Sequence, residues 1–219
     1  MDKILIVKIG GNLINNSQIL NRFLKSFAKI ETKKILIHGG GNQVTKLSKK
    51  LNLNVKITNG RRITSIQDLE VATMIYAGSL NKSLVTKLQS FNCNSIGLSG
   101  ADANLIESVK RPVKEIDYGL VGDIKKINSI FLKNMIDQNL IPVICSITHD
   151  KNGQLLNTNA DTISSEIAIS LSKYYTVDLI YCHEKNGVLS NPDDDNSTFD
   201  KLNEKEFNSY LELKIISNG

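Results

Sequence analysis

The chain has no tryptophan, aromatic residues make up only 5% of it, and histidine, cysteine and proline each occur three times in 219 residues. Each scarcity excludes something. With few aromatics to stack on bases, and with lysines scattered rather than gathered into a stripe, the formal charge of +5 reads as drift in a chain rich in Lys, Asn and Ile. No nucleic-acid partner is expected. His38, His149 and His183 show no metal-ligand spacing and read as structural or loop residues, so no metal site is expected. Cys93, Cys145 and Cys182 lie far apart, the latter two inside apolar runs, and read as reduced thiols. No apolar run approaches the roughly 20 residues that span a bilayer, and nothing resembles a signal peptide. The expectation is a cytoplasmic protein with no membrane partner.

What is present is a 41% hydrophobic content, enough for one large α/β domain or two lobes sharing a sheet. Apolar β-branched runs at 3–9, 34–39, 94–100, 141–147 and 177–182 read as strands. Helical patterns lie between them at 17–30, 42–51, 65–91, 129–140 and 160–174. Strands apolar on both faces and joined by helices predict a mostly parallel sheet covered on two sides. The segment 100–128 differs, with two short strand-like runs joined through Pro112 and Tyr118-Gly119, and reads as an antiparallel insertion. The clearest break is "HDKNGQ" near residue 150, which predicts lobes at 1–150 and 151–219.

The glycines concentrate where strands turn into helices, the place where open α/β sheets bind ligands. "KIGGN" closes the first strand and "HGGGN" the second, and neither matches GxGxxG or GxxxxGK[ST]. Bare backbone at a helix start suits a phosphorylated ligand, although such turns also need glycine for their shape alone. Lys8 stands near the end of an apolar strand, where a cation is costly unless an anion meets it or its amine reaches water. Asn157, Asn159 and Asp161 precede an apolar-periodic helix, where one residue of that kind is enough for a cap. "NPDDDN", 191–196, reads as a solvated turn.

The order KIGG, HGGGN, NGRRIT, GLSG, VGDI, NTNAD and EKNGVLSNPDDD resembles the amino-acid kinase family along essentially the whole chain, and within it the branch that phosphorylates N-acylated glutamate. The resemblance implies a three-layer αβα sandwich around a mainly parallel sheet, with the acylamino acid in the N-terminal lobe and ATP with Mg2+ in the C-terminal lobe. It implies that Lys8 neutralises the transferring phosphoryl group, that Gly10 and Gly11 line the nucleotide's path, and that Asp161 orients the catalytic lysine. Gly40 and Gly41 resemble the backbone that binds the substrate, Arg62 the arginine that holds its α-carboxylate, and Asn157 a substrate-binding asparagine. Arg61 has no such match. Glu184, Lys185, Asn186, Gly187, Val188 and Leu189, with Ile215, Ile216 and Ser217, fall where the family grips the nucleotide. The implied product is an acyl phosphate of arginine biosynthesis. The other readings are a kinase of the same fold acting on another small acid, such as carrier-linked aminoadipate, and a silent ligand-binding subunit.

Two departures from the pattern stand out. The family's second lysine follows the segment resembling "IISNG", whereas this sequence ends at Gly219, so a truncated C-terminal lobe with weak activity is expected. The first strand begins at about Lys3, without the helix that precedes it in arginine-inhibited members, so a homodimer without that feedback is expected.

Overall fold

Residues Lys3–Ile9 form strand β1 with apolar side chains on both of its faces, the pattern of a strand covered on two sides. The computed structural model describes residues 1–58, 60–183, 185, 187–191 and 193–216, and only the backbone of residue 12. After β1 come α1 (Gly11–Asn15), α2 (Ser17–Ala28), β2 (Lys33–His38), α3 (Gly41–Lys50), β3 (Ile57–Thr58), β4 (Arg61–Arg62) and α4 (Ile66–Thr73). A π-helical turn (Met74–Leu80) leads into α5 (Asn81–Gln89), β5 (Ser95–Leu98), β6 (Ile106–Lys110), β7 (Gly122–Ile127) and α6 (Ser129–Asp137). The last elements are β8 (Ile141–Cys145), β9 (Ile147–His149), β10 (Leu155–Asn157), α7 (Ala160–Leu171), β11 (Thr176–Cys182) and α8 (Glu204–Glu212).

The five strands of the main sheet run in the order β11-β1-β2-β8-β5, and all four pairings are parallel. Ile4, Ile6, Ile35 and Ile37 point to one face and pack on α6 and α7. Val7, Ile9 and Leu36 point to the other and pack on α2 and α5. This is the three-layer αβα arrangement, and it belongs to a first compact unit, Met1–Cys182. The second unit, His183–Gly219, contains α8, which starts in a capping box between Asn203 and Glu206.

The segment between β5 and α6 supplies β6 and β7, an antiparallel pair in a second sheet with β9 and β10, as its sequence suggests. "HDKNGQ" forms the turn of the β9–β10 hairpin, where the Asp150 amide donates to the Gln154 carbonyl and Gly153 takes φ +93°. By contacts the chain divides later, after Cys182. The helical pattern 65–91 is continuous but not uniform, because the π turn re-aims Tyr76 and Leu80 toward the glycine loop at the end of β2. The expected strand 141–147 is split into β8 and β9 at Ser146. The cysteines are unpaired, and burial raises the Cys145 thiol to about 12. Among the described residues no helix is long and apolar enough to cross a membrane.

Two buried polar groups tie this frame together. The Lys34 amine donates to the carbonyls of Ala28 and Ile30, where α2 ends. His38 is fully buried at the end of β2; Asn81 donates through Nδ2 to His38 Nε2 at 3.0 Å and to the Val143 carbonyl at 2.9 Å. His38 is thereby the Nδ1–H tautomer, which donates to the Gly39 carbonyl at 2.9 Å. Burial pushes its pKa down from 6.5 to about 4. The unfolded chain therefore binds a proton that the folded chain refuses, so stability is whole above pH 6.5 and falls as the pH drops toward 4. Urea midpoints at pH 7 and 4.5 should differ markedly for the native chain and much less for His38→Gln, whose curve starts lower at pH 7. Parallel pH profiles would show that His38 is not the group responsible.

Gly97 offers a packing test. A Cβ there would lie 1.8 Å from Asn81 Oδ1, whereas one at Gly78 in the π turn meets nothing within 4 Å. Gly97→Ala is expected to destabilise by about 1–3 kcal/mol, the usual cost of overpacking. Gly78→Ala should be neutral or gain up to about 1 kcal/mol from reduced unfolded-state entropy. Urea unfolding of both variants separates the two.

Candidate active site

Along β1 the even-numbered side chains face α7, and Lys8 continues the row begun by Ile4 and Ile6. At that level the apolar core has ended and the first turn of α7 takes its place. The amine meets Asp161 Oδ1 at 2.8 Å, with the lysine side chain 14% exposed and the aspartate 52%. A Cβ at Gly10 would sit 3.0 Å from the same amine, so the bare backbone gives Lys8 its room.

Parallel pairing of β1 and β2 sets Ile9 beside His38 and brings the two glycine loops together. Three helices start around them: α1 after β1, α3 after β2, and α7 after β10. The α3 start is capped by Gly40 at φ +146° with no side-chain acceptor and no acidic residue in its first turn. The Gln43 and Val44 amides donate to the Gly40 carbonyl, so the amides of Gly41 and Asn42, with the partial positive charge of the helix start, face the cavity side without a partner among the described residues. Gly40 is also sterically required, since a Cβ would lie 2.7 Å from Leu80 Cδ2 and 3.2 Å from Tyr76 Cε1. At α7, by contrast, Asn159 accepts from the Asp161 and Thr162 amides and acts as an ordinary cap.

Arg62 reaches the same place from the β3–β4 hairpin. Its Nη2 donates to Thr45 Oγ1 at 2.6 Å and to the Gly41 carbonyl at 3.3 Å, while Nη1 is buried without a hydrogen-bond partner among the described residues. A buried guanidinium N–H left unpaired is costly, and a carboxylate would satisfy it. Thr64 Oγ1 donates to the Arg62 carbonyl and accepts from Asn157 Nδ2, each at 3.1 Å. Backbone bonds from Thr64 to Tyr118, Leu120 to Thr64, and Asn157 to Leu120 lace three distant segments together. Gly119 at φ +70° permits that approach, because a Cβ there would stand 2.3 Å from the Thr64 carbonyl.

The result is a cavity of about 330 Å³ lined by Lys8, Gly10, Gly11, Gly40, Gly41, Arg62, Asn157 and Asp161, all expected from sequence. Also on its wall are Arg61, Thr45, Tyr76, Ser146 and Thr158, which sequence reasoning did not assign to the site. Tyr76 is hidden within a long helical pattern, and Thr45 is marked only by its place one turn into α3. Among the described residues that line it are three cations, Lys8, Arg61 and Arg62, and one carboxylate, Asp161, so the cavity suits an anion.

The expected nucleotide segment lies in the second unit. Glu184, Asn186 and Ser217 lie outside the described residues. Lys185 pairs with Asp195, the Val188 carbonyl accepts from the Phe199 amide at 2.9 Å, and Leu189 bridges Thr198. Gly187 has Thr198 Cγ2 2.6 Å from where a Cβ would be. The amides of Ile215 and Ile216 both donate to the Tyr210 carbonyl at the end of α8. The acids of "NPDDDN" are exposed in a turn bonded by Asn191, Asp194 and Ser197.

Residues 3–219 match the amino acid kinase family, and the chain belongs to it. It is similar to the acetylglutamate kinase of Parabacteroides distasonis, 46% identical over 219 residues, with 100% of this chain and 86% of that protein covered. The acetylglutamate kinase of Bacteroides fragilis is 45% identical over 218 residues, covering 100% and 84%. Among solved structures, smu.665 from Streptococcus mutans superposes with TM-score 0.82 at 25% identity, covering 99% of this chain and 85% of that one. The N-acetylglutamate synthase of Neisseria gonorrhoeae shares the fold, with TM-score 0.78 at 21% identity over 95% of this chain and 47% of its own.

Proposed function

We propose that the chain transfers the γ-phosphoryl group of Mg2+·ATP to the side-chain carboxylate of N-acetyl-L-glutamate, or a close N-acyl analogue, forming an acyl phosphate in arginine biosynthesis. The observation that carries the reading is Nη1 of Arg62, unpartnered among the described residues, in a cavity that also holds the Lys8–Asp161 pair. Arg62 suits a fixed carboxylate and Lys8 a moving anion.

The attacking carboxylate, with an ordinary pKa of about 4.3, is already ionised at neutral pH, so no general base is needed. One of its oxygens bonds to the γ-phosphorus as the bond to the β–γ bridging oxygen breaks, and ADP leaves with that electron pair. The obstacle is repulsion between two anions, and fixed positive charge is the remedy. Arg62 and Asn157 hold the acylamino acid, with the Gly40 and Gly41 backbone closing on it. Lys8 neutralises the phosphoryl group in flight, and Asp161 keeps the amine on its path. Gly10 and Gly11 leave room for the phosphates, and the 184–189 loop with 215–217 grips the nucleotide; Mg2+ enters as part of that substrate. In this reading residues 1–150 form the acylamino-acid lobe and 151–219 the ATP lobe. The protein works as a cytoplasmic homodimer, for which exposed Ile66 and Met74 offer apolar area.

Lys8→Met should lower kcat by roughly 100-fold or more, the scale for losing one preorganised charge, with far-UV circular dichroism unchanged. Arg62→Lys should raise KM for the acylated glutamate about tenfold or more and leave KM for ATP nearly unaltered. Turnover surviving Lys8→Met would overturn the assignment. Sedimentation at micromolar concentration should give twice the chain mass, and a monomer would remove the dimer from the proposal.

A further inference from the structure

Tyr181 has no assigned part in the reaction, yet it stands beside the residue on which the reaction turns. In the β1–β11 pairing Lys8 is opposite Tyr181. Val177 and Leu179 of β11 pack into the core beneath α7, so the alternation of the strand puts Tyr181 on the α7 face with Lys8. There its phenol is shared between Ser165 Oγ at 2.8 Å and the Asp161 carbonyl at 3.2 Å. Ser165 Oγ itself donates to the Asp161 carbonyl at 3.0 Å. On its other side the Asp161 amide donates to Asn159 Oδ1 at 2.7 Å.

We propose, building on the phosphoryl-transfer reading above, that Tyr181 is a positioning residue that fixes the Asp161 backbone and through it the Lys8 amine. A carboxylate as exposed as that of Asp161 is a weak tether, because an exposed ion pair gains little over its own side-chain freedom. What limits where that carboxylate can go is the main chain that carries it. That main chain is clamped at its amide by Asn159 and at its carbonyl by Tyr181 and Ser165. Without the phenol the first turn of α7 loosens, Asp161 releases the amine part of the time, and Lys8 spends less time on the path of the phosphoryl group. The binding groups for the acylated glutamate, Arg62 and Asn157, sit on other elements and are untouched.

Tyr181→Phe keeps the ring and removes only the hydroxyl. It should lower kcat about tenfold, a modest fraction of what misplacement of a reacting group costs, and leave KM for the acylated glutamate unchanged. Ser165→Ala should act in the same direction. In an Asp161→Asn background Tyr181→Phe should cause no further loss, because its route of action is already gone. A second readout does not depend on turnover: acylation of Lys8 by acetic anhydride in the ligand-free chain, followed by peptide mass spectrometry, should be faster in Tyr181→Phe. An unchanged kcat, a raised KM, or an undiminished loss in the Asp161→Asn background would overturn the proposal. If the native chain phosphorylates no N-acylglutamate, the functional reading fails by itself, and the Lys8 labelling rate still decides whether Tyr181 governs the amine.

Discussion

A cation at the covered end of a parallel strand is the constraint from which the rest of the site follows. Lys8 occupies a row that is otherwise isoleucine, and it can do so only because the sheet's apolar layer stops there and a helix start with a carboxylate begins. The bare Gly10 beside it, the Asn159 cap behind Asp161 and the neighbouring strand β11 all serve that placement. Desolvating an amine without an anion is unfavourable, and Asp161 supplies that anion where the apolar layer ends.

Arg62, on the wall of the same cavity, is held by a different device. Arg62 belongs to a two-residue strand in a hairpin at the surface, a poor platform by itself. Its precision comes from Thr64, which is fully buried and joins the arginine's carbonyl to Asn157, and from backbone bonds running through 118–120 to 157. A two-stranded hairpin is thus tied by single bridges to two distant segments, and the guanidinium is held with Nη1 unpaired among the described residues.

Much of this was legible before any coordinates, for physical reasons. The run 3–9 is apolar on both faces and too short for a buried helix, so its period and length identify a covered strand; 177–182 also forms a strand, but at the edge of the sheet it stays partly exposed rather than covered. The antiparallel character of 106–127 showed in its shorter, more polar runs around Pro112 and Gly119. Less visible were elements whose formation depends on partners far away in sequence. Helix α1 begins at a glycine and has only five residues, β3 and β4 have two each, and β10 exists because β9 and Val121 bracket it. Of the residues that line the cavity, motif and chemistry had singled out Lys8, Arg62, Asn157 and Asp161. Tyr76 and Thr64 were not, because each acts by contact with groups that sequence spacing does not bring near.

The backbone at Gly40 has one further consequence. With φ +146° and the side chains of Tyr76 and Leu80 against it, this position has no freedom to vary. Any remodelling of the chamber to admit bulkier guests must therefore leave this turn alone and work through side chains on the wall, such as Tyr76.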